Sequence, residues 1–233
     1  MTDATYIARR GELEVYFDRT AVEAWRRLTS DEPVGRIRKT VRAGRDAMRA
    51  RLLSWLPEDM CGLRLLDAGC GSGALAVEAA RRGADVVAID ISPTLIDLAR
   101  QRAPRDLGAG RVAFHVGDML DSGLGAFDHV VAMDSLIHYG GPDIARALGA
   151  LAERARGSII FTVAPRTPAL TIMHAVGRLF PREGRAPAIE PISVDRLALA
   201  MRARRELSGW RWTRSRRVNS GFYLSQALEL VRR

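Results

Sequence analysis

The chain has 233 residues and a mass of 25.6 kDa, with 47% hydrophobic and 27% charged residues, enough for one soluble domain with an appended element. No run of about 18 apolar residues occurs, which excludes a membrane-spanning helix. The first stretch is too charged for a secretory leader, and two cysteines, Cys61 and Cys70, are too few for a disulfide or cysteine-zinc scaffold, so a reduced, cytoplasmic protein is expected.

The net charge is +9, and Lys39 is the sole lysine among 36 basic residues. Coding bias explains such an arginine excess as readily as an anionic partner does. Nucleic acid, a lipid surface or a carboxylate-bearing ligand would each serve. Arginine leans towards the last two, because its planar fork pairs with carboxylates and stacks on flat rings.

Residues 1–60 read as a helical segment and 61–233 as the main domain. Thr20 and Glu23 form a capping box that opens a short helix with Ala21, Trp25 and Leu28 on one face. Asp31, Glu32 and Pro33 break it, and Ile37, Val41, Met48, Leu52 and Trp55 mark a longer helix that Pro57 closes. From Arg64 onward short apolar runs at 64–68, 86–90, 112–117, 129–133 and 158–164 predict strands. Helical patterns at 74–82 and 93–103 separate the first three. This alternation predicts an α/β fold with a mostly parallel sheet covered by helices on both faces. The stretch 165–192 carries five prolines and a helical pattern at Leu170, Met173, Gly177 and Phe180, and is expected to be an inserted arm. Segments 210–218 and 223–230 flank Asn219-Ser220-Gly221, which predicts a closing antiparallel hairpin.

Chemistry concentrates where the first predicted strand meets the first core helix, in Asp67-Ala68-Gly69-Cys70-Gly71-Ser72-Gly73. Glycines there let backbone approach a ligand and present N–H groups at a helix N-terminus. Asp90 ends the second strand, where an acid can grip ribose hydroxyls. Gly69, Gly71 and Ala74 also satisfy a dinucleotide fingerprint, so a nicotinamide enzyme competes. Against it stand Asp67, a carboxylate two residues before the first glycine, and the hairpin in place of a second mononucleotide half. A carboxylate at that place suits a ligand bearing an ammonium group, as S-adenosylmethionine does.

The set resembles the class I S-adenosylmethionine-dependent methyltransferases, whose fold is a Rossmann-like seven-stranded sheet with an antiparallel last strand. The resemblance makes Asp67, Ala68, Gly69, Gly71 and Gly73 the first cofactor motif and Asp90, with Ile91 beside it, the ribose acid. Asp118 and Met119 take the place of the residues that meet the adenine, and Met133 lies where the methionine part is lined. Segment 134–139 lacks the acidic or amide residue with Pro-Pro and an aromatic that nucleic-acid amino methyltransferases carry, so nucleic acid is not the expected acceptor. No metal-ligand cluster is apparent either.

Outside the core, Tyr16-Phe17-Asp18 with Trp25-Arg26-Arg27, the Leu136-Ile137-His138-Tyr139 ending, Ala164-Pro165-Arg166-Thr167 and Leu179-Phe180-Pro181 are similar to the magnesium-protoporphyrin IX O-methyltransferases of chlorophyll and bacteriochlorophyll synthesis. This resemblance implies transfer from S-adenosylmethionine to a propionate of magnesium-protoporphyrin IX, leaving S-adenosylhomocysteine and a monomethyl ester. It implies catalytic roles for Tyr16 and His138, and substrate contacts from Trp25, Tyr139, Arg166 and Met173. It implies, too, a handover from magnesium chelatase and peripheral association with photosynthetic membranes. Another small-molecule or RNA methyltransferase, or a non-catalytic porphyrin carrier, stays open on the residues alone. His115 and His129 are expected to be structural.

Overall fold

A computed structural model describes residues 3–20, 35–166 and 189–233. Among the described residues, helices α1 (Asp3–Val15) and α2 (Arg36–Leu53) precede the sheet, and a π-helical turn, Tyr16–Thr20, extends α1. Strands β1 (Arg64–Ala68), β2 (Asp85–Asp90) and β3 (Arg111–Val116) alternate with α3 (Ala74–Arg81) and α4 (Pro93–Arg102). β4 (Phe127–Ala132) and β5 (Ala155–Val163) bracket α5 (Gly141–Ala152). The chain then runs through α6 (Val194–Arg202) into the hairpin of β6 (Trp210–Ser220) and β7 (Tyr223–Arg232).

The seven strands lie in the order β3-β2-β1-β4-β5-β7-β6. β1 to β5 are parallel, while β7 runs antiparallel to both β5 and β6, as expected for a class I methyltransferase sheet. Each face closes over its own apolar layer. On one, Leu66, Val130, Phe161 and Leu228 pack with α5 and α6; on the other, Leu65, Val131, Ile160 and Ala227 pack with α2 and α3. Met48 and Leu52 on α2 are fully buried in that second layer, so this helix is part of the sheet's cover. Met48, read above as part of a helix's apolar stripe, lies within the core.

Local chemistry explains the element ends. Ser92 accepts from the Leu95 N–H and Pro93 opens α4, a side-chain cap followed by a pre-set φ. Asp18 adds a carboxylate to the same helix end, accepting from the Thr94 hydroxyl at 2.6 Å and the Thr94 N–H at 3.3 Å. The expected arm begins and ends at one point: Pro165 and Ile192 form a parallel bridge, with Arg166 N–H donating to Ile192 O at 3.2 Å. The short helix expected after Thr20 and the helical pattern within the arm lie outside the described residues, and with them Trp25 and Met173.

Candidate active site

The strand order sets the C-terminal ends of β3, β2, β1 and β4 in a row about 14 Å long, three strand spacings. Each end delivers an acid: Asp118 just after β3, Asp90 on β2, Asp67 on β1 and Asp134 just after β4. Between them the glycine loop turns from β1 into α3. Gly69, Gly71 and Gly73 all have left-handed backbones, φ 81°, 53° and 77°, where a side chain would be strained. A Cβ on Gly69 would fall on the Ser135 side chain, and one on Gly73 would come within 2.7 Å of the Phe114 ring. Gly71 faces open space instead, and its N–H donates to Asp90 Oδ2 at 2.8 Å. The Ser92 N–H reaches Asp90 Oδ1 at 3.0 Å, so the ribose-acid candidate is aimed by two backbone amides.

An open cleft lies over this row. Gly69, Gly71, Asp90, Ile91, Asp118 and Met119 line its nucleotide side, and Met133, His138 and Tyr139 line the other. Asp67, Ala68 and Gly73 sit one layer beneath. Tyr16 and Arg166 are not among the lining residues: Phe17 takes the first place, with Tyr16 edge-on to its ring, and Arg166 is exposed beside the arm's bridge. Asp134 lines the cleft beside Met133, at the strand end where the resemblance sets the methionine part, and lining residues that sequence reasoning gave no site role include Tyr6, Phe17, Arg45 and Ser135. The Asp134 backbone at φ 54° and the buried Gly44 are their physical traces, and neither stands out in a single sequence.

Asp67 is 1% exposed, and its Oδ2 has no hydrogen-bond partner among the described residues. Burial, with neighbouring Asp90, pushes its carboxyl up to about 7, eased by the Ala76 N–H. Burial also raises Asp90, while the Ser92 and Gly71 N–H groups pull it back. Asp118 is held by α1: Tyr6 Oη donates to it at 2.8 Å and Arg10 at 2.7 Å. The Tyr6 ring lies between Tyr139, stacked at 5.0 Å, and the Arg146 guanidinium at 4.9 Å. Burial, first of all, raises the Tyr6 and Tyr139 hydroxyls, so both stay protonated.

Segment 134–139 is pinned from several sides. Arg9 Nε donates to His138 O at 2.9 Å, the Glu190 N–H to Ile137 O at 2.8 Å, and Leu136 is fully buried. The His138 ring meets the Phe17 ring edge-on at 5.8 Å. By contrast, His129 pairs with Ser158 Oγ at 2.8 Å within the sheet, and His115 is exposed on β3.

Comparison with known proteins extends beyond this core. The magnesium-protoporphyrin O-methyltransferase of Rhodobacter capsulatus is 52% identical over 225 residues, 96% of this chain and 97% of that protein. The chain belongs to the magnesium-protoporphyrin IX O-methyltransferase family. A family model described as the magnesium-protoporphyrin IX methyltransferase C-terminus matches residues 132–232, and a general methyltransferase domain matches 65–156. The crystal structure of magnesium protoporphyrin IX methyltransferase from Synechocystis PCC 6803 with bound SAH superposes with a TM-score of 0.81 at 30% identity, covering 97% of this chain and all of that one. A ubiquinone biosynthesis O-methyltransferase of Xanthomonas oryzae pv. oryzae, at 36% identity, matches 53% of this chain and 54% of its own. Likeness to the magnesium-protoporphyrin O-methyltransferases thus covers the acceptor side of the cleft as well as its nucleotide side.

Proposed function

We propose that this protein transfers the methyl group of S-adenosylmethionine to a propionate carboxylate of magnesium-protoporphyrin IX, giving the monomethyl ester and S-adenosylhomocysteine. The observation that carries this is the near full-length likeness to magnesium-protoporphyrin O-methyltransferases, including 132–232, beyond the half shared with a quinone-pathway enzyme.

The residues present fit the cofactor. Gly71 opens onto space that a side chain would fill, the Asp90 carboxylate beside it would take the ribose hydroxyls, and Asp67 offers a buried oxygen without a partner among the described residues, suited to an ammonium group. Ala68 and Gly73 shape the strand-to-helix turn, while Ile91 and Met119 provide apolar walls for a base beside Asp118. Met133 lines the side towards β4. When bound, the cofactor supplies an electrophilic methyl on a sulfonium.

The protein's own task is then orientation. A propionate resembles a glutamate side chain, with a pKa of about 4.3, and is already anionic at neutral pH. Holding it in line with the methyl group removes much of the entropic barrier. His138, on the cleft wall, aims the reacting oxygen. Tyr16, beside Phe17, is the second donor; burial raises its hydroxyl, so it donates rather than abstracts a proton. Tyr139 supports the acceptor side through its stack on Tyr6, and Arg166 meets a carboxylate at the arm's base. Substrate contacts from Trp25 and Met173, which lie outside the described residues, rest on the resemblance alone. Residues 3–20 stand on the acceptor side of the cleft, where the resemblance also assigns the arm, whereas α2 belongs with 61–233 as cover of the sheet.

Peripheral contact with an anionic membrane belongs to the same proposal. Among the described residues no helix is long and apolar enough to cross a membrane. Ile37 and Phe222 are 57% and 65% exposed, and Phe222 N–H meets Thr40 Oγ1 on the first turns of α2 at 3.4 Å. Exposed Arg36, Arg38 and Lys39 flank them, and this tip stands at the same sheet edge as the cleft. Cations around an apolar tip favour anionic headgroups. A handover from magnesium chelatase is part of the proposal as well.

Transfer of labelled methyl is the test, with magnesium-protoporphyrin IX, metal-free protoporphyrin and bulk RNA offered in parallel. An alkali-labile label on the magnesium porphyrin is expected. Label on RNA, or none on any acceptor from protein that binds S-adenosylhomocysteine, would overturn the assignment.

A further inference from the structure

The sheet ends in two unlike edges. At one, β3 is six residues long and its Arg111 is cancelled by Asp85 on β2, through hydrogen bonds of 2.8 and 2.7 Å. At the other, β6 is eleven residues long, and among the described residues no strand pairs with its outer side. Alternate residues of an outer strand turn N–H and C=O groups outward, a template for a further strand. Residues 211–217 of β6 are all exposed. Their charge has one sign: Arg211, Arg214, Arg216 and Arg217 stand within seven residues, and β6 carries no acid. Arg214 meets the buried Glu229 at 3.4 Å, whereas among the described residues no acid pairs with Arg211, Arg216 or Arg217. Arg211 and Arg216, five apart in sequence, would fall on opposite faces of a regular strand. The bulge between Trp212 and Ser215 sets both on the α2 face instead, opposite Val231 and Ala227. Trp212 lies on the other face, 36% exposed, its ring 6.1 Å from that of Phe161. Charges and bulges also serve to keep outer strands from pairing by chance. β6, however, is about twice the common strand length and keeps an exposed tryptophan beside its arginines. Such an edge penalises a neutral strand through desolvation of the arginines and favours an acidic one.

We propose that the outer edge of β6 docks an extended acidic segment of a partner protein as an added strand of the sheet. Main-chain hydrogen bonds hold the segment, and alternate side chains choose it. Carboxylates at every second position meet Arg211 and Arg216 on the α2 face, and the apolar side chains between them lie on the Trp212 face. A second copy of this chain is not the occupant, because pairing β6 with β6 sets arginine against arginine. The docked segment lies beyond β5 and β7, on the half of the sheet away from β3. This docking needs neither the cofactor nor the acceptor assigned above.

The probe is a capped decapeptide alternating glutamate and valine, carbon-13 labelled at its backbone carbonyls. Binding of a dye-labelled copy is read by fluorescence anisotropy, and the conformation of the bound peptide by isotope-edited infrared spectroscopy. The wild type is expected to bind it, with the labelled amide band at the strand position. Arg211→Gln/Arg216→Gln should weaken binding by about tenfold, the size of two exposed ion pairs. Arg211→Lys/Arg216→Lys should restore most of it, which guards against a loss that comes from misfolding. Arg38→Gln/Lys39→Gln removes the same charge at the α2 tip and should leave the affinity within about twofold. Binding without the strand band, equal losses in the two glutamine pairs, or no binding at all would overturn the proposal. Phosphatidylglycerol vesicles or single-stranded RNA held more tightly than the peptide through Arg211 and Arg216 would overturn it too, and assign the edge to another polyanion.

Discussion

The two ends of the cleft hold their carboxylates in different ways. At the β1–β2 end Asp90 is gripped by backbone N–H groups of Gly71 and Ser92, and Asp67 lies under the same loop. At the β4–β7 end Asp134 is gripped by side chains from α2, β5 and β7. Backbone donors are fixed by the local fold and adjust little when a side chain changes. A side-chain knot depends on packing between distant elements, so it can be loosened residue by residue. The first end is suited to an invariant nucleotide, the second to tuning what meets it.

Breaking the backbone end has the largest expected effect. Gly69→Ala puts a methyl on Ser135 in a left-handed conformation, costing about 1–2 kcal/mol for the backbone and about 1–3 kcal/mol for the overlap. Calorimetry with S-adenosylhomocysteine should find binding lost, with the circular dichroism spectrum of the fold retained. An affinity within a few-fold of wild type would mean that the loop yields more easily than its geometry implies.

The two sides should separate kinetically. His138→Ala is expected to lower kcat by about 10²-fold, a typical loss for a positioned proton or hydrogen-bond partner, with cofactor affinity nearly unchanged. Asp90→Ala should weaken cofactor binding first. Parallel loss of cofactor binding in both variants would erase the division of labour between the ends.

Loosening the side-chain knot should show graded costs. Tyr223→Phe removes one hydrogen bond to a buried carboxylate, about 1.5–3 kcal/mol. Ser225→Ala, at a longer 3.3 Å contact, should cost less in denaturant unfolding, and the order reversed would mean the knot is held elsewhere.

The smallest effect is a dependence on pH. Asp67 keeps its proton up to about 7 in the cofactor-free fold, against about 3.9 in an unfolded chain. The folded state then binds more protons between these values, so this group's stabilisation is complete below about pH 4 and fades as pH rises through 7. A bound ammonium group favours the ionised form, so cofactor affinity should rise by a few-fold through the same window. Asp67→Asn should flatten that rise in calorimetric titrations, and an unchanged slope would assign the proton to another group.

The fold was legible because its signals are local. The 64–68 strand, the turn at Gly69 to Gly73 and the hairpin around Gly221 each lie within a few residues, and the observed elements coincide with them to within a few positions. Asp90 was readable for the same reason, since a strand's last residue stands at the ligand edge. The Asp134 knot was not, because Arg45 and Tyr223 meet there across 89 residues on either side. Neither helical periodicity nor strand alternation records such a meeting. The grip of Tyr6 and Arg10 on Asp118 escaped likewise, for α1 carries no motif that announces it.

The bridge between Pro165 and Ile192 sets a lower limit on how far the segment between them can be trimmed. Pro165 and Ile192 pair in the same direction at an isolated bridge, and the connection between them has to satisfy that direction. A tight turn cannot do this, and a crossover of about a dozen residues is the least that will. Part of the insert is therefore obligatory for topology alone, whatever it touches. Only the remainder is at liberty to vary in length, so grafts or deletions that respect the minimum should keep the sheet, and shorter ones should forfeit the neck.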